Sequence, residues 1–338
     1  MLTNNINFKN FTQKQQSKKI VKLFKELIQE DNEILNSLKK TYKNSYSKKD
    51  INKLRKFSNY ILIGMGGSIL GTKAIYSFLK DKIKKKFLFK DFYEKKGSTK
   101  NKNCLNLIVS KSGNTLETII NSNLLINKKS KNIFITENKK SYLVDLAQKL
   151  KSDIIHHNNF IGGRFSVLSE VGMLPAELMS LNITKFRRLN FLIKNKKFVN
   201  SLIKNVSNTL DLIKRNKRNS IILNYDEKSS DLFFWYQQLI AESLGKKSKG
   251  ILPTISKLPQ DNHSLMQLYL DGFKNNFYTF FFVNEKKSQK INNVSLLKSH
   301  YYLKNKTLND IKRSQFEATE KIFRKKNIPF RSFYLKTR

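Results

Sequence analysis

Three short apolar runs constrain this chain more than any other feature: Tyr60–Ile63, Leu105–Val109 and Ile133–Thr136. Each has the length of a buried strand, and each leads into a segment with helical periodicity. These are Ile69–Leu79, a stretch after Thr115 ending near Leu125, and Tyr142–Leu150. Strands that alternate with helices imply right-handed crossovers and a parallel sheet covered on both faces. A second set follows: Ser220–Asn224 as strand, Asp231–Leu244 as helix, Tyr278–Val283 as strand, Asn309–Lys325 as helix and Ile328–Tyr334 as a last strand. Ahead of the first set, Phe11–Tyr46 carries apolar residues at helical spacing (Ile20, Leu23, Phe24, Leu27, Ile28, Ile34) and is expected to be helical. Lys194–Lys217 carries helical signals between the sets. At about 100–200 residues per domain, the 338 residues fit two successive α/β domains, divided here into 1–185 and 186–338.

Composition removes several function classes. The longest clear apolar run, Phe277–Val283, is far short of the roughly 20 residues of a membrane-spanning helix, so no membrane role is expected. The start of the chain shows no charged region followed by an apolar core, and the expected location is cytoplasmic. Cys104 is the only cysteine, which excludes an intramolecular disulfide or a cysteine-rich metal site. A formal charge of +41 invites a nucleic-acid reading. The lysines, however, are spread along the whole chain beside Asn and Ile, not gathered into a block with interleaved aromatics, so no specific nucleic-acid partner is expected. The charge should still draw anionic metabolites toward clefts.

Four stretches have the residue types for chemistry, and a fifth carries a histidine. Ser110-Lys111-Ser112-Gly113-Asn114-Thr115 joins a strand to a helix start. First-turn N–H groups and the positive end of the helix dipole favour an anion there, and Ser110, Ser112, Thr115 and Lys111 add donors and charge. Gly64-Met65-Gly66-Gly67-Ser68 also follows a strand, but lacks the spacing of a dinucleotide fingerprint, because Ile69 stands where the third glycine would fall. Its glycines still let a backbone approach a ligand closely. Gly162-Gly163-Arg164-Phe165-Ser166 precedes an apolar helix, Val167–Leu181, with Ser166 placed to cap it. Arg164 is always charged and donates in a fork suited to an oxyanion. In Trp235–Lys246, Gln238 and Glu242 share one helical face, where a desolvated carboxylate could serve as a base. Pro259–Ser264 sets His263 at the start of the helix-like run Leu265–Leu270. His156-His157 has no ligand-spaced partners and His300 lies in a basic stretch, so no metal site is expected.

Together these stretches resemble the glucose-6-phosphate isomerase (phosphoglucose isomerase) family, built from two sugar-isomerase (SIS) domains. The resemblance rests on YILIGMGGSILGTKAI, SKSGNTLETI, GGRFSVLSEVGMLPAEL, WYQQLIAESLGKKSKGILP and PQDNHSLMQLYLDG, in the family's order from Tyr60 to Gly272, with weaker similarity in QFEATEKIFRKKNIPF. It implies an α/β fold of two SIS-type domains, each a mostly parallel sheet flanked by helices: N-terminal helices plus the first SIS domain in 1–185, the second in 186–338. The implied reaction is aldose–ketose isomerisation of glucose 6-phosphate and fructose 6-phosphate through a cis-enediolate, in glycolysis and gluconeogenesis, with no metal and no nucleotide cofactor. Position by position, it makes Ser110, Lys111, Ser112 and Thr115 the phosphate holders and has Gly67 and Ser68 line the sugar. Gln238 places the substrate, Glu242 shuttles the proton between C2 and C1, and Arg164 stabilises the enediolate. His263 assists ring opening, contributed across the interface of a homodimer.

The family usually carries a further C-terminal segment with a lysine in a Gln-Pro-Gly-Val-Glu-like context. Nothing up to Arg338 matches it, and Lys336 lacks the context, so the lysine's role is transferred to no residue. Ring opening by His263 and water, a substitute lysine and loss of activity are then all open. Two rival readings are a bifunctional phosphoglucose/phosphomannose isomerase and a noncatalytic sugar-phosphate-binding SIS protein. GGRFSVLS and SKSGNTLET favour the glucose-specific family over the first, and Glu242 and His263 in context weigh against the second.

Overall fold

A computed structural model describes residues 5–11, 17–93, 103–291 and 298–338. Its strands, in chain order, are β1 (Ile6–Lys9), β2 (Asn59–Gly64), β3 (Lys86–Lys90), β4 (Cys104–Val109), β5 (Lys131–Thr136), β6 (Asp153–His156), β7 (Asn219–Asn224), β8 (Leu252–Lys257), β9 (Asn276–Val283) and β10 (Phe330–Leu335). They form two five-stranded sheets, ordered β3-β2-β4-β5-β6 and β1-β10-β9-β7-β8. All pairings are parallel except that of β1 with β10. The expected architecture, mostly parallel sheets flanked by helices, is the one observed.

By compactness the chain divides into two units, each made of segments that are not contiguous in sequence. One unit comprises Leu27–Leu192 with Asp231–Ser243; the other comprises Met1–Glu26, Ile193–Ser230 and Leu244–Arg338.

In the unit holding the first sheet, β2, β4 and β5 are buried on both faces, as their continuous apolar runs require. Alternate residues serve two cores. Tyr60, Leu62, Leu105, Leu107, Val109, Ile133 and Ile135 pack with Met173, Leu174 and Ala176 of the helix Glu170–Leu178. On the opposite face, Ile61, Ile63, Ile108 and Phe134 pack with Leu143 and Ala147 of the helix Tyr142–Lys149. Strand order reverses between β2 and β4, and the crevice beyond their carboxyl ends is where such sheets bind ligands. The turns Gly64–Ser68 and Ser110–Thr115 both emerge there.

The other unit is built on β9, whose eight residues are all buried. Its core is aromatic: Phe280 meets Phe323 and Phe316 edge-on, with centroids 5.1 and 5.8 Å apart.

Local expectations fail in physically readable ways. Phe11–Tyr46 is not one helix. It contains separate helices at Lys18–Gln29 and Glu33–Ser37, and 12–16 lie outside the described residues. Asn32 starts the second helix by accepting from Leu35 N at 2.9 Å, a local bond that competes with helix continuation. Val167–Leu181 divides into a 3₁₀ turn, Gly163–Leu168, and the helix Glu170–Leu178. Ser166 does not cap that helix: its hydroxyl donates to Gly163 O (2.7 Å) and Gly67 O (3.2 Å).

Candidate active site

The site is assembled on the first sheet. Ser110 N still donates to Ile135 O (3.1 Å), which prolongs the β4–β5 pairing by one residue before the chain turns. Gly113 makes that turn at φ +67°, and a Cβ there would lie 2.1 Å from Ser141 Oγ, so only glycine fits. Thr115 is the N-cap of the helix Leu116–Leu125 without a side-chain capping bond, leaving the first-turn N–H groups without that acceptor. Its hydroxyl lies 2.9 Å from Ser110 Oγ.

This turn walls a cavity of about 260 Å³ lined by Met65, Gly67, Ser68, Lys111, Ser112, Thr115, Glu137 and Gly163. Of the expected phosphate holders, Lys111, Ser112 and Thr115 face it. Ser110 is buried and reaches it only through its contact with Thr115. Lys111 Nζ is held by Asn159 O at 2.8 Å and Glu137 Oε1 at 3.1 Å, and Lys139 also approaches Glu137, at 3.4 Å. Glu137 was not singled out in the sequence, yet it follows β5 directly, and the carboxyl end of a strand was the available signal.

Gly67 and Ser68 line the same cavity from the 3₁₀ turn Gly66–Ser68. Gly67 lies so close to the arginine loop that a Cβ on it would sit 2.2 Å from Gly163 C and 2.7 Å from Arg164 N. Two loops about a hundred residues apart are thereby packed backbone to backbone, and Ser166 Oγ ties them through Gly67 O.

Arg164 points to the helix Ser230–Leu244. Its Nη1 donates to Glu242 Oε1 at 3.0 Å and its Nε to Ser243 Oγ at 2.9 Å. The guanidinium lies 4.5 Å from the Phe165 ring centroid, and Trp235 Nε1 donates to the Arg164 carbonyl at 3.4 Å. Behind Arg164 is an apolar cavity of about 520 Å³ lined by Phe165, Val167, Trp235, Leu239 and neighbours. Such a low-dielectric wall strengthens a fixed charge. Glu242 departs from expectation. Its side chain is 50% exposed and paired with Arg164, not desolvated, two residues before the end of its helix. Gln238 approaches Gly66, and its Oε1 is buried with no hydrogen-bond partner among the described residues, an acceptor in want of a donor.

Arg164, Glu242, Gln238 and the turn carrying Lys111, Ser112 and Thr115 therefore belong to one unit. His263 belongs to the other unit. It is exposed and follows the 3₁₀ turn Gln260–Asn262, its N–H bonded to Gln260 O at 3.1 Å. Asp261 shapes this turn by accepting from Ser256 Oγ, Lys257 N and Ser264 Oγ.

Comparison with known proteins bears on the family and the fold. The family model for phosphoglucose isomerase matches residues 2–254. The glucose-6-phosphate isomerase of Methanocaldococcus jannaschii is 36% identical over 300 residues, covering 82% of this chain and 72% of that protein. Among solved structures, a hypothetical protein from Thermus thermophilus superposes with a TM-score of 0.76 at 22% identity, over 94% of this chain and 83% of the other. A glucose-6-phosphate isomerase from Chlamydia trachomatis superposes with a TM-score of 0.67 at 17% identity, over 94% and 74%. At those identities the structures speak for the fold alone, while the sequence matches identify the lineage: the chain belongs to the phosphoglucose isomerase family.

Proposed function

We propose that this chain interconverts D-glucose 6-phosphate and D-fructose 6-phosphate, an aldose–ketose isomerisation. The observation that carries the site's chemistry is the Arg164–Glu242 contact of 3.0 Å, on a loop whose Gly163 lines the hydroxyl- and lysine-walled cavity. Removing a proton from carbon beside a carbonyl requires a carboxylate base, and the oxygen that gains charge requires a fixed cation. Glu242 takes the proton from C2 and returns it to C1, and Arg164 stabilises the cis-enediolate between those steps. Lys111, Ser112 and Thr115, with the first-turn N–H groups of the helix at Leu116, hold the phosphate, supported by Ser110 through Thr115. Gly67 and Ser68 border the sugar, and Gln238, whose side chain lies against Gly66 of the same turn, helps place the substrate. As bound substrate enters, Arg164 exchanges part of its bond to Glu242 for the substrate oxygen, which frees the carboxylate to act as base.

Ring opening is assigned to His263, acting across the interface of a homodimer; both the dimer and the crossing are part of the proposal. So is a cytoplasmic location. Among the described residues no helix is long and apolar enough to cross a membrane. The test is turnover of fructose 6-phosphate and of mannose 6-phosphate by the purified chain. Ready conversion of fructose 6-phosphate to glucose 6-phosphate with much slower use of mannose 6-phosphate is expected. Comparable rates would make the enzyme bifunctional, and binding without turnover would make it a sugar-phosphate-binding protein.

A further inference from the structure

Behind the arginine loop lies a buried polar network that the proposed reaction does not use. His157 is 2% exposed. Its Nε2 lies 3.0 Å from Ile161 O, and since a carbonyl only accepts, Nε2 carries the proton of that bond. Nδ1 faces Glu170 Oε2 at 3.3 Å, with Ser169 Oγ at 3.5 Å. Glu170 is itself 1% exposed, and its Oε1 accepts from Tyr42 OH (3.0 Å) and Ser45 N (3.3 Å). Burial pushes the Glu170 carboxyl up, but hydrogen bonds from His157, its own backbone N–H and Tyr42 outweigh burial and hold it below the usual carboxylate range.

What this network grips is the segment that carries Arg164. Ile161 immediately precedes Gly162 and Gly163, two residues with no side chains of their own to fix the path of the backbone. At the far end of the 3₁₀ turn Gly163–Leu168, buried Arg187 donates to Leu168 O from Nε (3.1 Å) and Nη2 (2.7 Å). The same guanidinium bonds Tyr42 O and Asn44 Oδ1, so Glu170 and Arg187 each take further partners from one stretch, Tyr42–Ser45. Ser169 Oγ, bonded to Ser166 O at 2.7 Å, closes the interior of the turn. A buried pair of ionisable groups is a poor source of stability compared with apolar packing of similar volume, whereas removing one partner leaves the other costly. Its distinctive physical yield is orientation.

We propose that His157, backed by Glu170, is a positioning residue for the isomerisation: its bond to Ile161 O sets the path of Gly162 and Gly163, and thereby the place of Arg164 against Glu242. The inference rests on the functional reading above. The test uses the full chain and compares wild type, His157→Ala, His157→Gln, Arg164→Ala and the double variant His157→Ala/Arg164→Ala, well below their melting temperatures. Readouts are kcat and KM for fructose 6-phosphate and the inhibition constant of inorganic phosphate as a probe of the phosphate corner. His157→Ala should lower kcat about tenfold to a hundredfold, the scale of a loop displaced by about 1 Å, with a smaller change in phosphate inhibition, since Ser112 and Thr115 stay on their own turn. His157→Gln, which keeps a donor near the position of Nε2, should recover most of that loss. In the Arg164→Ala background the histidine change should cost nothing more, because the group it positions is gone. A kcat unchanged in His157→Ala, an equal loss in the Gln variant, or a full additional loss in the double variant would each overturn the inference while leaving an active wild type and its function intact. A wild-type chain that does not isomerise fructose 6-phosphate would overturn the functional reading, and this inference with it.

Discussion

Replacing Gly67 by alanine adds a single methyl group at the point where the turn after β2 meets the arginine loop. Its Cβ would lie 2.2 Å from Gly163 C, 2.3 Å from Gly163 O and 2.7 Å from Arg164 N. Unstrained heavy-atom contacts begin near about 3.5 Å, so the two backbones must part by about 1.3 Å. Both sides of the clash are main chain, so no rotamer change relieves it. Separation of this size moves Arg164 away from Glu242, and about 1 Å of misplacement costs on the order of a hundredfold in rate. Overpacking should also lower stability by about 1–3 kcal/mol. The assay is kcat/KM for fructose 6-phosphate, with glucose 6-phosphate coupled to a dehydrogenase, beside thermal unfolding of the same samples. Gly162→Ala is the control. Gly162 has an ordinary backbone conformation (φ −65°, ψ 149°), and its added Cβ would meet only Phe165 Cδ2, at 3.5 Å. That variant should stay within about 0.5 kcal/mol of wild type. Wild-type kcat/KM in Gly67→Ala would refute the argument that backbone contact between the two loops sets the arginine's place. Lost stability with full activity would refute it equally.

Three further outcomes are expected. Ser112→Asp puts a carboxylate on the wall of the cavity proposed to hold the phosphate. Like charges about 4 Å apart repel by about 1–4 kcal/mol, so KM should rise about tenfold or more, and an unchanged KM would count against the phosphate assignment. Glu137→Gln removes a negative charge from the same wall while Lys111 keeps its bond to Asn159 O, so KM for sugar phosphate should fall. A rise would mean that the carboxylate serves mainly to aim Lys111. Glu170→Gln should destabilise the fold by about 3–5 kcal/mol at neutral pH, read by urea unfolding. Because the carboxyl is held below its unfolded value, its contribution is complete above the unfolded range, near about 4.3, and disappears as pH falls through the lower folded value. The gap between variant and wild type should therefore narrow in acid; a gap independent of pH would exclude the ionised carboxylate as its source.

How much was legible in the sequence depended on whether a feature is local. The strands β2, β4 and β5 announce themselves because central parallel strands are apolar on both faces. β3, β6 and β8 were not read as strands. β3 has lysines at both ends, β6 has only four residues, and β8 contains Pro253; all three lie at sheet edges, where charge and proline are tolerated. The turn Ser110–Thr115 was readable as an anion site because its chemistry is contained in six residues. Glu137 was not, since its place beside Lys111 depends on the register of β4 with β5. The Arg164–Glu242 contact joins residues 78 apart. The resemblance supplied their roles, but neither periodicity nor spacing could predict that Glu242 would be exposed and already paired. Gly67 was legible as permissive backbone, while its contact with Gly163 is visible only once the loops are folded together.

The claim on which the account turns is that Glu242 is the proton-transferring base beside Arg164. Measuring fructose 6-phosphate conversion by wild type and by Glu242→Gln tests it most directly. The amide keeps the size of the side chain and an acceptor for Arg164 but cannot take up the proton. A clearly active wild type is expected, beside a variant whose kcat falls by several orders of magnitude, about 10²–10⁴-fold for general-base catalysis alone, with phosphate inhibition retained. A Glu242→Gln enzyme that turns over fructose 6-phosphate at near the wild-type rate would contradict the claim.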